Sequence, residues 1–564
     1  MLALKNTILG NLVIGACTCL SLLRTSQAQD AVKLQHRWEV EPKLGGFWVA
    51  DEVERPAIID VEQLKSPLRE NRVYEAQRIA LMQADPNLKN ADAALPVLLE
   101  ALNGNDRNRQ LILAMTSAAV ALSGGKEASE IWKAVEEEPL ARLVVEAKLA
   151  DWRSDLALDL WRQRIADPSS PTREMLIALE GLAEVGSTSD GPAIEAVLTS
   201  DWAPPAIKLA AARAYGKLVS AGNESLAEML LESPMPFKQL LAAHVLATHT
   251  SESSLSLLEQ ILDGSADPAQ AVALAAIVAT RPKVGLEKSK TLLSHPDSNV
   301  RLLAVQTLGA SDAEEDVKAQ AYSLRDRTPQ IRRLVRARLR NFALAERNPT
   351  YVNDVIQYYL RGDSFEGAEQ AIVLCVELQK REFCREIVPL LAHPKPQVSV
   401  RAGWAIQELA DSEEILAEAM PYAQETTQRL VNKIRVEKEE MNRTAFLFQA
   451  FGRNRYQPAS EMLKLYIPKN NHSMLVTTRT AAIWSLGHLY ADSQDEQLAE
   501  ELAERLLDNT PNDPEDGPVK YASAIAIGMI KCPTSPGYLG RSPEFPPSPI
   551  AYATDWALEQ INGQ

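Results

Sequence analysis

Residues 295–309 read HPDSNVRLLAVQTLG. Proline and aspartate mark a turn, and the residues after Asp297 repeat apolar side chains at the three- and four-residue spacing of a single helix face. The phrase returns as KLAAARAYG (208–216), RTAAIWSLG (479–487) and KYASAIAIG (520–528). Each copy, counted from its cation, has a small residue three positions on, an apolar residue at seven and glycine at eight. The small and apolar positions share a face, so the pattern predicts helices whose neighbours come close.

With the cation as a ruler, weaker copies start at Arg109, Arg142, Arg173, Lys238, Ala271, Arg332, Arg401 and Arg443. From Arg109 to Arg332 the steps are 33, 31, 35, 30, 33, 30 and 31 residues, followed by 69 to Arg401. A gap of 69 is two periods, which predicts a degenerate copy near Glu366. The later steps of 42, 36 and 41 predict longer turns. Pro139, Pro171, Pro205, Pro236, Pro268, Pro329 and Pro518 stand two or three residues before the ruler position, and Pro296 and Pro396 five before it. Proline suits a first helical turn, where its missing N–H costs nothing, so these prolines are read as helix starters. Between copies lies a second apolar-periodic stretch, such as SSLSLLEQILDG (253–264) or GLEKSKTLLSHP (285–296). Each period therefore reads as an antiparallel helix pair that must stack on its neighbours to bury its apolar faces. The expected fold is all-α, an α-solenoid of stacked antiparallel helix pairs.

The 295–309 phrase resembles the second half of a HEAT repeat, in which a turn bearing Pro and Asp precedes Val-Arg and a small-residue helix ending in Leu-Gly. The likeness covers roughly residues 90–530, strongly in four copies and loosely elsewhere. It implies a HEAT-like superhelix with a scaffolding or protein-binding role on its concave face. It also implies one alternative, because some HEAT-like proteins resemble bilin lyases and isomerases that act on partner proteins.

The two ends depart from the period. Residues 1–28 read as a signal peptide: Lys5, an apolar run from Thr7 to Leu23, and a small-x-small cleavage site at Ser26-Gln27-Ala28. The expectation is export to a periplasmic or secreted location with no membrane span left after cleavage. Ile14-Gly15-Ala16-Cys17 also resembles a lipobox, which would instead make the chain a lipid-anchored, structural envelope component. Residues 29–88, with Trp38, Phe47 and Trp48 around Gly45-Gly46, are read as an aromatic cap and lead-in over the first repeat. The repeats are placed at 89–530, and 531–564 as a Pro-rich segment with a closing helix around Trp556.

A formal charge of −16 argues against a nucleic-acid partner, which needs an accessible basic surface. Metal-binding, phosphate-cradling, nucleophile-elbow and dinucleotide motifs do not occur, so no cofactor, metal or catalytic residue is assigned. His244 and His249 are five apart, not at the four-residue spacing that converges on a metal, and His295 and His393 precede prolines in turns. The expected product is a non-catalytic monomer that binds a protein. Candidate contacts are Arg332, Arg336 and Arg340, from a stretch with eight arginines between Arg325 and Arg347 and only Asp326 and Glu346 as acids. The competing reading pairs these arginines with acids of adjacent repeats. Ile331, Leu334, Val335, Leu339 and Phe342 form the expected buried stripe of that helix. Trp404 and Trp484, on ruler helices, are further candidate anchors or else core filling. Cys375 and Cys384 flank a polar stretch and either form a disulfide across one helix pair or remain packed thiols. Asn223, Asn442 and Asn471 match the glycosylation sequon, a short pattern common by chance.

Overall fold

The computed structural model describes residues 58–82, 88–264, 267–311, 313–469, 474–542 and 548–563. The signal-peptide, lipobox and aromatic-cap readings, and the sequon at Asn471, fall outside these residues. Two compact units divide at Leu339. Apart from an isolated bridge between Ile58 and Lys89, the regular structure of the described residues is helical.

In the N-terminal unit one row of helices runs through Arg69–Leu81, Arg109–Ser123, Pro139–Asp151, Thr172–Val185, Pro205–Leu218, Pro236–Val245, Asp267–Thr280 and Ser298–Gly309, each packed on the next. Each from Arg109–Ser123 onward also packs on the helix that precedes it in sequence, for example Gly191–Thr199 before Pro205–Leu218 and Glu252–Gly264 before Asp267–Thr280. The C-terminal unit repeats the plan. Its row is Phe365–Glu377, Pro396–Leu409, Lys438–Arg453, Val476–Leu489, Gly517–Ile530 and Pro549–Asn562. Both units are α-solenoids of stacked antiparallel helix pairs, and no helix of the described residues is long and apolar enough to cross a membrane.

The turn chemistry follows the sequence. Pro139, Pro205, Pro236 and Pro518 occupy the first turn of their helices, and Pro329 and Pro396 are first residues. Asp297 caps Ser298–Gly309, its carboxylate accepting the Asn299 and Val300 amides at 2.6 and 3.2 Å. The degenerate copy near Glu366 is the helix Phe365–Glu377. The long step after Arg401 has a different origin from the one expected: the intervening helix Glu413–Val431 runs for 19 residues, so helix length as well as turn length is added.

Small residues set the spacing of the row. Ala211, Ala304, Ala482 and Ser523, three after the cation, are all fully buried. At the glycine positions a side chain would collide with the next row helix: a Cβ on Gly487 would lie 2.7 Å from the Ala526 Cα, and one on Gly528 2.8 Å from the Ala557 Cα. Gly309 is the exception, with only the Gln320 side chain 3.8 Å away.

The ruler cations brace the turns. Arg301 forks onto Asp326 of the next repeat at 2.6 and 3.1 Å and donates to the His295 and Pro296 carbonyls of its own turn. Burial pushes the Asp326 carboxyl up, but the Arg301 hydrogen bond and the Thr328 amide outweigh it and hold the group below the usual carboxylate range. Arg479 forks onto Glu515 at 2.7 and 2.9 Å and reaches the Tyr466 and Ile467 carbonyls, with both charged groups buried. Buried Lys520 donates to Asn509 at 2.5 Å, and buried Arg443 to the Leu391 carbonyl at 2.6 Å. The weaker copies do not all obey: Arg109, Arg173, Lys238 and Arg401 are exposed. At Ala271 the ruler is one residue late, since Gln270 is the buried side chain that ties back to the Leu262 carbonyl at 2.8 Å.

Two substitutions separate spacing from bracing. Gly487→Val should lower the unfolding free energy by about 2 kcal/mol or more through overpacking, while Gly309→Ala should leave it unchanged or raise it by about 0.5 kcal/mol; urea titration of each variant reads both. Glu515→Gln strands the buried Arg479 charge and should cost about 3–5 kcal/mol. The double change Arg479→Met with Glu515→Leu should cost less in the same titration.

Candidate partner-binding face

A row helix has neighbours on three sides, namely the previous row helix, the next one and its paired helix. The fourth side is what a row can offer to a partner. On Pro205–Leu218, Gly216 meets the His244 carbonyl of the next row helix. At 100° per residue the fourth side is then Ala206, Ala210, Arg213 and Lys217. Ala206, Arg213 and Lys217 are exposed. Ala275 and Ala279 of Asp267–Thr280 are exposed in the same way.

Between Pro236–Val245 and Asp267–Thr280 lies an open groove of about 420 Å³ lined by His244, Ala247, Ala271, Val272, Ala275 and Ala276. Its floor is methyl groups, because alanines at these positions leave the space that a longer side chain would fill. His244 forms one wall, and its Nε2 stands 3.5 Å from the Arg213 Nε, which donates to it. Burial and then the Arg213 charge push the His244 imidazole down to about 4. The groove therefore presents an apolar surface edged by a guanidinium. Lys217 is ion-paired with Glu184 on the preceding row helix.

The residues singled out in the sequence are distributed differently. Ile331, Val335, Leu339 and Phe342 are buried, but Leu334 is only half-buried. Arg332, half-buried, donates to the Asp326 and Arg327 carbonyls at 2.8 and 3.1 Å, so it closes its own turn as Arg301 does. Arg336 is half-buried, and the neighbouring Arg338 donates to the Ser311 carbonyl. Arg340 is half-buried and belongs to the C-terminal unit. Trp404 is half-buried with the Arg401 guanidinium 5.5 Å from its ring centre. Trp484 is only 3 % exposed and so cannot act as an exposed anchor. Cys375 and Cys384 are separate buried thiols rather than a disulfide. Burial raises both thiols, Cys384 to about 12, and keeps them as unreactive core residues. His295 and His393 act in turns, their Nδ1 atoms accepting the Asp297 and Lys395 amides at 3.1 and 3.0 Å. Among the described residues no group of three or more His, Cys, Asp or Glu is placed to hold a metal ion.

The paired helices, small-residue row and Arg–Asp brace at Arg301 settle the architecture. Each unit is an α-solenoid of stacked helix pairs. No family model matches the chain, and no curated protein is similar to it. Among solved structures it is similar to importin beta, with 12 % identity and a TM-score of 0.44 over 89 % of this chain and 72 % of that one. It is also similar to Kap121p bound to RanGTP, with 12 % identity and a TM-score of 0.44 over 89 % and 56 %. Yeast importin-beta (Kap95p) aligns at 13 % identity and a TM-score of 0.40 over 89 % and 65 %. Likenesses at this level carry no functional argument.

The groove was not legible in the sequence, because its alanines carry the same pattern as the buried ones. Its acid response follows from His244. The imidazole is neutral in the folded chain down to about pH 4, whereas in the unfolded chain it takes a proton near pH 6.5. The unfolded state therefore binds more protons in that window, and stability falls as the pH drops from about 6.5 toward 4. His244→Gln should flatten the fall of the urea midpoint between these pH values.

Proposed function

We propose that this chain is an exported, non-catalytic scaffold that binds a protein partner along the fourth side of the row in its N-terminal unit. The observation that carries the reading is the alanine-floored groove beside His244 and Arg213. A partner places an apolar side chain in the groove and a polar or acidic group against Arg213. Binding proteins bury apolar anchors in such recesses and use charge at the rim to set register. Export rests on residues 1–28, whose cationic start, apolar run and Ser-Gln-Ala site match a cleaved leader. The arginines near 332 have a smaller part in this reading, because Arg332 is engaged by its own turn.

The test is a matched capture experiment with the full chain and its Ala275→Arg variant as baits on the envelope and secreted fractions of the source cells. Ala275 is exposed, so the variant should unfold within about 0.5 kcal/mol of the parent. At least one protein retained by the parent should fall tenfold or more on the variant. An identical set of captured proteins on both baits would overturn the assignment of the groove.

A further inference from the structure

The turn that leads into Pro329–Leu344 carries exposed cations that no acid balances. Arg325, Arg327 and Arg333 are all exposed, and all three belong to the N-terminal unit. Among the described residues none of them is ion-paired with a carboxylate. The acids that could have served are engaged elsewhere: Asp263 pairs with Lys288 at 3.1 Å, Asp316 with Lys290 at 3.0 Å and Glu314 with Lys318 at 2.7 Å. Glu315 stands at the far end of the helix Glu314–Ala321, where its charge acts on Lys318. Asp326 lies between two of the three arginines in sequence, but Arg301 holds its carboxylate, which is only 6 % exposed. These three arginines therefore do not follow the pattern in which a cation is matched by an acid of an adjacent repeat.

The turn that presents them is fixed. The Asp326 carboxylate accepts the Thr328 amide at 2.7 Å, the Asp326 amide donates to the Ser323 carbonyl at 3.1 Å, and Arg332 ties down the Asp326 and Arg327 carbonyls. Little ordering is left for a ligand to impose on this backbone. Arg325 is held by an aromatic ring, its guanidinium carbon standing 3.9 Å from the centre of Tyr322, a side chain 57 % exposed. A guanidinium seated over a ring still directs N–H groups past the ring edge, where they can fork onto an oxyanion. The helix Pro329–Leu344 begins at the same turn, and the positive end of its dipole adds to the three charges.

We propose that Arg325, Arg327 and Arg333 bind an acidic segment of a protein partner, two or three carboxylates presented within a few residues. The choice of partner follows from charge. The protein as a whole carries −16, and exposed charges are screened beyond about 8 Å at physiological salt. A nucleic acid or an anionic lipid leaflet extends far past such a patch and meets the acidic remainder of the surface. A run of a few acidic residues spans only about 10–15 Å and stays over the arginines. This surface is separate from the groove beside His244 and does not rest on it.

The test is fluorescence anisotropy of a fluorescein-labelled hexaglutamate peptide titrated with the full chain at low salt. The parent should bind the peptide and lose it as salt is raised, and the triple variant Arg325→Gln, Arg327→Gln, Arg333→Gln should bind at least tenfold more weakly. All three side chains are exposed, so the urea midpoint of the triple variant should match the parent. Arg327→Glu alone is the second probe, with an expected loss of at least threefold, and it keeps the question open to measurement should the triple variant unfold. Absence of peptide binding by the parent, or equal binding by parent and folded variants, would overturn the proposal. Single-stranded DNA or phosphatidylglycerol vesicles that bind the parent more tightly than the peptide, and are lost in the same variants, would assign the patch to a phosphate polyanion and overturn it as well.

Discussion

Close approach between consecutive row helices is the constraint on which this structure depends. Gly487 against Ala526 and Gly528 against Ala557 leave no room for a side chain. Where backbones come this near, dispersion contacts accumulate along the whole helix and the core extends from pair to pair without growing thicker. Other features follow from it. In the four clear copies the residue three after the cation (Ala211, Ala304, Ala482, Ser523) is small because it faces the interior, and the cation turns toward the loops. There Arg301, Arg443, Arg479 and Lys520 fix each turn by hydrogen bonds to carbonyls or to a side chain of a neighbouring turn. Packing sets the spacing of the pairs and the buried polar brace sets their register.

Most of this was legible because it is periodic. A cation just after a proline is a strong signal when it recurs at 30–35 residues, and the four copies with a small residue at three and glycine at eight fix the buried face. The reading weakened where single residues had to be placed by period alone. Gln270 and not Ala271 holds the brace, and Arg173 and Arg401 are exposed, because a one-residue shift on a helix turns a side chain by 100°. The step after Arg401 was lengthened by an extended helix, which spacing cannot distinguish from an extended turn. Sequence left two readings open for the arginines near 332 and for Trp484; Arg332 closes its own turn, and Trp484 is buried as its core-filling reading had it. The groove beside His244 gave no sequence signal, since an alanine that leaves space and an alanine that fills it are the same letter.

The two units differ in the exposure of one side of the row. Each carries the same row of helices, with three sides engaged in building the stack. In the N-terminal unit the fourth side shows Arg213, Lys217, Ala275 and Ala279 to solvent. In the C-terminal unit the same side holds Ala481, Trp484, Ala522 and Ile525 away from it. Neutral His244 at the open face and buried Trp484 at the closed face are the two side chains that mark the difference.

Amide hydrogen exchange of the full chain, followed helix by helix, tests this account most directly. Local opening of a helix covered on four sides must break more packing than opening of one covered on three. The account predicts that Val476–Leu489 and Gly517–Ile530 exchange slowest in the molecule, well behind Pro205–Leu218 and Asp267–Thr280. Equal or faster exchange in Val476–Leu489 than in Pro205–Leu218 would contradict it.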